Sequence, residues 1–143
     1  MRDLDLARQI FRERNLSLVM VKEGGLLFES ASSGINGLLQ AIDALNGSLH
    51  GSSVADKVVG RAAALLLVYA HAKEVYAATV SNEGLKALEE NGVPVEYDAL
   101  VQQILDRTGK NICPFEKASQ TIRAPEEAPE KLRACVENVR KRI

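Results

Sequence analysis

A run of nine consecutive apolar residues, positions 62–70 (AAALLLVYA), constrains the fold of this chain more than any other feature. It follows GSSVADKVVGR, where Ser52 and Ser53 are candidate helix caps, so the pattern predicts one helix over residues 54–72. A helix that is apolar on nearly all sides has to be covered by other elements. Gly60 lies inside this predicted helix, where glycine costs about 1 kcal/mol relative to alanine, so we expect a close approach of backbone or ligand there.

Short β-type runs surround the predicted helix and supply the covering layers. Residues 16–22 and 26–30 flank Gly24-Gly25, a pair that can adopt the positive φ of a tight turn, and they predict a hairpin. Residues 74–81 and 93–101 predict two further strands. Strands separated by helices of this length are typical of a mixed sheet with helices on both faces. The sequence therefore predicts an α/β protein, a three-layer α/β/α fold with a mixed central sheet.

The other long helices follow from apolar residues at helical spacing, and we predict them over residues 3–14, 35–45, 82–91 and 126–143. Ser81 or Asn82 is the expected N-cap of the third, and Gly92 ends it. The last carries Cys135 on its apolar face, so we expect this cysteine in the core. We predict a single domain spanning residues 1–143, with the helix from about 126 to 143 appended to it.

Composition and charge exclude several classes of function. The 143 residues carry 18 basic and 19 acidic side chains, a net charge of −1, so no field of one sign attracts nucleic acid or a membrane surface. Tryptophan is absent, and with it the stacking surfaces of many single-strand binders. The first residues (MRDLDLARQIF) mix acids and bases where a signal peptide is apolar, and no apolar run spans a membrane. We expect a cytoplasmic protein whose two cysteines are thiols.

Three stretches carry a family resemblance: ADKVVGRAAALLLVYAHAKEVYAATVS, GVPVEYDALV and DRTGKNICPFEKA. They resemble an uncharacterised prokaryotic family, a domain of unknown function with the fold of the cytidine deaminases. The third stretch is the most specific, because no generic secondary-structure pattern dictates it. The resemblance implies a sheet that begins with the hairpin and a core helix, residues 54–72, that carries metal ligands in true deaminases. It also implies assembly as a homo-oligomer.

The zinc ligands of a deaminase are missing from this chain. Such a site needs a His or Cys at the start of the core helix, a Glu two residues on, and a C-x-x-C pair at the start of the next helix. Here the two places read VADKVVGRAAA and TVSNEGLKAL, with neither Cys nor His. HAKE, residues 71–74, has the wrong spacing. We therefore expect no metal, no cofactor and no hydrolytic deamination.

If the deaminase pocket is retained, the resemblance places two helix N-termini at its floor. Helix N-termini bind anions, so a nucleotide or a related small metabolite is the expected ligand. The candidate ligand-binding residues are Asp56, Lys57, Gly60, Arg61, Ser81, Asn82, Asp106 and Arg107. The alternative is purely structural: Asp56 favours the helix dipole, Lys57 and Arg61 form an exposed stripe, and Ser81 or Asn82 is a cap.

The stretch NICPFEKAS predicts a short helix with Cys113 at its N-cap and Pro114 at its first position. Glu116 would then be able to reach back to the N-cap amide. A helix N-terminus lowers a thiol pKa, so Cys113 and Glu116 are candidate catalytic residues, with Asp106 and Arg107 assisting. No histidine is adjacent to act as the base. The alternative is that Cys113 only packs in the fold or caps the helix.

Three functions stay open at this point. The leading hypothesis is a zinc-less, deaminase-like domain that binds a nucleotide or related metabolite. The alternatives are an enzyme that uses Cys113 as a reactive thiol and a structural interaction module. His50 and His71 lie far apart in the sequence without companion ligands, so we expect each on a loop or helix surface.

Overall fold

A computed structural model describes residues 1–141 of the chain. One five-stranded sheet with the strand order β2-β1-β3-β4-β5 forms its centre. β1 runs antiparallel to β2 and β3, whereas β3, β4 and β5 are parallel to one another. The strands are β1 (Leu18–Lys22), β2 (Gly25–Ser30), β3 (Ser53–Val59), β4 (Glu74–Ser81) and β5 (Val95–Val101). The helices are α1 (Asp3–Glu13), α2 (Asn36–Leu45), α3 (Arg61–Tyr69), α4 (Asn82–Glu90), α5 (Pro114–Ser119) and α6 (Ala128–Lys141).

The predicted hairpin is confirmed, and its turn is held from outside. Its turn is Glu23-Gly24 rather than the predicted Gly24-Gly25, because Gly25 already pairs with Lys22 as the first residue of β2. Glu23 and Gly24 adopt φ of 51° and 77°, the positive values that this type of tight turn requires. The carboxylate of Asp3, in the first turn of α1, accepts hydrogen bonds of 3.0 Å from both of their amides. The hairpin and α1 are therefore fixed to each other at this point.

The prediction of one helix over residues 54–72 is wrong in its first part, because Ser53–Val59 is the strand β3. Val54, Val58 and Val59 are β-branched, and β3 pairs with β1 on one side and β4 on the other. Gly60 then adopts an extended conformation (φ −96°, ψ −168°), and the helix begins only at Arg61. Asp56 and Lys57 thus belong to a strand, and Gly60 is the N-cap of α3 rather than an interior helix residue.

The apolar helix α3 is buried, as its composition predicts, and it lies in the larger of two cores. Its residues from Ala62 to Leu67 are all buried. This core also contains Leu38 of α2, Leu88 of α4 and Leu132 of α6. A smaller core lies on the other face of the sheet, where α1 packs on β1, β3 and β4 through Leu4, Ala7, Phe11, Val19, Val21, Ala55 and Tyr76. The predicted three-layer fold with a mixed sheet is confirmed.

The C-terminal helix α6 packs into the larger core through Leu132 and Val136. It begins at Ala128, after a short 3₁₀ turn at Pro125–Glu127, and residues 142–143 of the predicted helix lie outside the described residues. Cys135 is half-buried rather than fully in the core, and its thiol lies 3.8 Å from the carbonyl oxygen of Pro114. In the described range, no helix is both long enough and apolar enough to cross a membrane.

Candidate functional site

A cavity of about 450 Å³ lies at the carboxyl ends of the parallel strands, where α3 and α4 begin. In open α/β sheets this edge is the usual place for ligands. Four of the predicted site residues line the cavity: Arg61, Ser81, Asn82 and Glu116. Five further polar residues and two isoleucines complete its wall: Glu83, Gln102, Gln103, Ser119, Gln120, Ile104 and Ile112. The structure therefore brings together four parts of the chain: the start of α3, the start of α4, the segment that follows β5, and the helix α5.

The start of α4 is capped by its own neighbouring residue. Ser81 is buried, and its hydroxyl accepts a 3.0 Å hydrogen bond from the amide of Gly84. This arrangement satisfies one of the amides that a helix N-terminus leaves without an intrahelical partner. The predicted capping role of Ser81 is confirmed, while Asn82 and Glu83 are exposed at the cavity.

The start of α3 is capped by Glu116, a residue of a different helix. Its Oε1 accepts a 2.7 Å hydrogen bond from the amide of Arg61, and its Oε2 accepts a 2.9 Å bond from the amide of Ala62. A carboxylate in this position also meets the positive end of the helix dipole. The predicted bond from Glu116 to the N-cap amide of its own helix is wrong, because the amide of Cys113 donates to the carbonyl of Ile104 instead.

Burial is the main influence on the Glu116 carboxyl group and raises its pKa above the ordinary value. The amides of Ala62 and Arg61 and the charge of Arg61 act in the opposite direction, while the nearby charge of Glu83 raises the pKa further. The cavity wall therefore contains two carboxyl groups close enough to repel each other when both are ionised.

Arg61 completes a reciprocal connection between α3 and α5. Its guanidinium donates hydrogen bonds to the carbonyl oxygens of Ser119 and Ile122, at and just beyond the C-terminal end of α5. Glu116 of α5 caps α3, and Arg61 of α3 binds the carbonyl end of α5. Since cations stabilise that end of a helix, each helix supplies the charge that the other requires.

Two glycines make this arrangement possible. A Cβ atom on Gly60 would lie 2.1 Å from Oε1 of Glu116, so only glycine lets the carboxylate reach the helix. A Cβ atom on Gly84 would lie 2.6 Å from the carbonyl oxygen of Val59, so α4 approaches the backbone before α3 directly. The close approach that the sequence predicts at Gly60 is therefore made by a carboxylate of the chain itself.

Asp56 and Lys57 lie in β3, outside the set of residues that line the cavity. Asp56 is only 6% exposed, and its burial raises its pKa to about 7, although the amides of Val58 and Lys57 act against this shift. Lys57 is exposed. The expected stripe of Lys57 and Arg61 on one helix does not exist, because Lys57 lies in β3 and only Arg61 lies in α3.

Cys113 is the N-cap of α5 with Pro114 at the first helical position, as predicted. The cysteine is half-buried, and it is not among the residues that line the cavity. Asp106 and Arg107 lie in the preceding loop, where the hydroxyl and amide of Thr108 donate to Asp106 and lower its pKa. Glu116 is held on α3 and is not available beside the thiol as a base.

A second cavity, of about 610 Å³, lies at the amino ends of β3 and β4, where the sequence predicts no site. The rings of His50 and His71 meet there with centroids 4.4 Å apart, although they are distant in sequence. Both residues lie three positions before a strand, and Ser53 pairs with Glu74 at the start of those strands. In the sequence, the sign of this contact is that each histidine lies the same number of residues before one of two neighbouring parallel strands. This sign can be used only when residues 53–59 are recognised as a strand.

The site does not fit a catalytic zinc ion. The described residues contain no group of three His, Cys, Asp or Glu side chains that could hold a metal. The starts of α3 and α4, where the resemblance places the ligands, carry Arg61, Ala62, Ser81 and Asn82. Since none of these supplies an imidazole or thiolate, and Glu116 already occupies the helix start, the zinc chemistry of deaminases has no ligand set here.

Three solved structures are similar to this chain to different degrees. A DUF1893 family protein from Thermotoga maritima is 33% identical, with a TM-score of 0.83 over 95% of this chain and 89% of its own. Acinetobacter baumannii RibD, form 2, is 20% identical with a TM-score of 0.52, over 83% of this chain and 40% of its own. The apo dCMP deaminase of cyanophage S-TIM5 is 19% identical with a TM-score of 0.48, over 66% of this chain and 93% of its own.

At the level of sequence, a search of curated proteins gives no match. The RibD similarity supports the fold alone, which is the α/β arrangement that the sequence predicts. Residues 6–136 match the family described as Domain of unknown function (DUF1893). With that match over most of its length, the chain belongs to the DUF1893 family.

Proposed function

We propose that this chain is a small-molecule-binding domain that holds a nucleoside-type ligand in the cavity between the starts of α3 and α4. One observation carries the proposal: the cavity is open at the carboxyl ends of three parallel strands, although Glu116 closes the helix start at which a metal would be expected. The ligand-binding location of the fold is retained without its zinc chemistry.

The cavity wall is rich in carboxamides, and this favours a planar, hydrogen-bonding ligand. Gln102, Gln103, Gln120 and Asn82 are all exposed there. Each carries one acceptor oxygen and a donor NH₂ group, the combination that matches the edge of a nucleobase. A base with an attached sugar also fits a volume of about 450 Å³, which lies within the usual range for small-ligand sites.

The charges of the wall disfavour a phosphate. Glu83 and Glu116 contribute two carboxyl groups, and the single guanidinium, of Arg61, is engaged with carbonyl oxygens of α5 and the segment after it. The start of α3 is occupied by Glu116, so an anion cannot use it as a binding site. Within the broader expectation of a nucleotide or related metabolite, we therefore favour the uncharged nucleoside.

A thermal-shift panel tests this proposal. Nucleosides should raise Tm in a concentration-dependent way and their 5′-monophosphates less so, because a ligand at a hundred times its Kd stabilises the fold by about 2.7 kcal/mol. The double variant Gln103→Leu/Gln120→Leu should lose the response. The matched control is Gln40→Leu, which removes an exposed glutamine of α2 outside the cavity and should keep it. No response from any nucleoside, or a response that survives the double variant, contradicts the proposal.

The alternative of a reactive thiol rests on the position of Cys113 at the start of α5. It requires Cys113 to react with iodoacetamide abnormally fast near neutral pH, because the thiolate is the nucleophile. The rate should be measured by mass spectrometry on the Cys113 peptide, with the Cys135 peptide of the same sample for comparison. An ordinary rate at Cys113 removes this alternative.

A further inference from the structure

The strand β5 forms one edge of the sheet, and in the described part of the chain no strand lies beyond it. Five of its seven residues, from Glu96 to Leu100, are exposed. Tyr97 and Leu100 are 42% and 46% exposed, and both are large and apolar. An edge strand offers unpaired N–H and C=O groups, so this edge combines open main-chain hydrogen bonding with apolar side chains.

The geometry of β5 is regular, unlike that of the opposite edge. Its register with β4 runs from the pair Val75 and Val95 to the pair Ser81 and Val101 with a constant offset. The other edge strand, β2, carries an irregularity opposite Met20 and Val21 that twists it away from regular pairing. Proteins use such bulges, together with lysine and proline, to protect sheet edges, and β5 contains none of these three.

The acidic residues of β5 are both engaged on the α1 side of the sheet and so do not protect the edge. Glu96 accepts hydrogen bonds of 2.8 Å from Arg2 and 2.9 Å from Arg8, both on the α1 side of the sheet. Asp98 accepts a hydrogen bond of 2.5 Å from the hydroxyl of Tyr76. An incoming strand therefore meets a paired carboxylate at Glu96 and a hydrogen-bonded one at Asp98.

We propose that β5 pairs antiparallel with β5 of a second copy of this chain, and so joins two five-stranded sheets into one of ten strands. A two-fold axis through this pairing has to run perpendicular to the sheet, so that residues facing each other share one sheet face. This condition allows only registers centred on a residue, and the sequence of β5 decides among them.

Ala99 is the centre that the side chains favour. There the small Ala99 faces its own copy, Tyr97 faces Val101, and Asp98 faces Leu100. A centre at Asp98 places two aspartates opposite each other, and a centre at Tyr97 places Glu96 opposite Asp98. Like charges directly opposite each other are destabilising, so the centres at Asp98 and Tyr97 are disfavoured. A centre at Leu100 is disfavoured because it shortens the overlap of the two strands.

Light scattering with size-exclusion chromatography tests whether two copies of the chain pair through β5. The wild type should have a mass of about 31 kDa, twice the 15.5 kDa of the chain. Tyr97→Lys/Leu100→Lys should give a monomer with an unchanged circular dichroism spectrum, since lysine blocks edge pairing. The matched control is Leu26→Lys, which adds lysine to the exposed side of the other edge strand and should leave the dimer intact. A monomeric wild type, or a dimer that survives the double variant, overturns the proposal.

Cysteine cross-linking tests the register independently of any loss of folding. Ala99→Cys brings two thiols to about 5 Å between Cα atoms, within disulfide range, and diamide oxidises them by accepting two hydrogens. A covalent dimer should form on a reducing-agent-free gel. Tyr97→Cys is the control, because its two copies lie about 13 Å apart in this register and should not link. Linking at position 97 but not at 99, or at neither, overturns the register.

Discussion

Two neighbouring parts of the molecule have the same backbone plan and different chemistry. In each, a parallel strand turns directly into a nine-residue helix, β3 into α3 and β4 into α4. The start of α4 is capped by Ser81, the residue immediately before it. The start of α3 has Gly60 in that position and is capped by Glu116, which lies 55 residues after Arg61. The N-terminus of a helix can thus be capped by the residue next to it in the sequence or by a residue far away in the sequence.

The difference affects what each unit can bind. The start of α4 combines a neutral hydroxyl cap with Glu83 in its first turn, and this carboxylate offsets the positive end of the helix dipole. A cap supplied by a carboxylate fills the equivalent end of α3 and links it to α5 through Arg61. The β3–α3 unit also contains the buried Asp56, whose register partner in β4 is Ala77. Between pH 4 and pH 8 the strongest response should therefore come from the β3–α3 unit.

The largest effect expected is this pH dependence. The folded pKa of Asp56, about 7, lies above its ordinary value of 3.8, so the folded state binds more protons than the unfolded state between these pH values. The free energy of unfolding then falls as pH rises through this window, by about 4 kcal/mol between pH 4 and pH 8. Asp56→Asn should remove most of that fall, as measured by urea unfolding at a series of pH values.

The matched control for Asp56 is Glu89→Gln, which removes an exposed carboxyl group of α4. It should leave the pH dependence as in the wild type. The raised pKa of Glu116 has the same sign and accounts for a residual fall in Asp56→Asn. An Asp56→Asn variant with the full wild-type slope contradicts the placement of the acidic group in β3.

The second effect tests the contact between the two units. Gly84→Ala places a Cβ atom 2.6 Å from the carbonyl oxygen of Val59 and 3.0 Å from the carbonyl carbon of Gly60. Backbone atoms cannot move aside without shifting β3 or α4, so the free energy of unfolding should fall by about 3 kcal/mol. Gly47→Ala is the control, because no atom lies within 4 Å of its added Cβ atom. Equal stability of both variants would show that the helices are not in close contact.

The third effect tests the distant cap. The backbone of Gly60 is extended and acceptable for alanine, so the cost of Gly60→Ala should come from displacing the Glu116 carboxylate. Loss of its two hydrogen bonds should lower the free energy of unfolding by about 2 kcal/mol. In a Glu116→Ala background the same substitution should cost much less, so a double-mutant cycle measures the coupling. Additive costs would contradict a direct contact between these two residues.

The contrast between the caps explains how far the sequence predicts this structure. Elements defined by nearby residues are correct: the hairpin at Gly24, the cap at Ser81 and the helix start at Pro114. The sequence does not separate β3 from α3, because the valines of β3 run into the apolar helix with only Gly60 between them, and glycine alone is a weak boundary signal. The Glu116 cap and the His50–His71 contact join residues that come together only through the sheet, so no local pattern contains them.

The smallest effect expected is the loss of the local cap. Ser81→Ala leaves the amide of Gly84 without its hydroxyl acceptor at a buried position, and the free energy of unfolding should fall by about 1 kcal/mol. Ser33→Ala, at an exposed loop position, should change it by less than about 0.5 kcal/mol. Because a neutral hydroxyl makes one bond where the carboxylate makes two charge-assisted ones, the Ser81 variant should lose about half as much stability as Gly60→Ala. Equal losses would mean that α3 depends no more on its distant cap than α4 depends on its own serine.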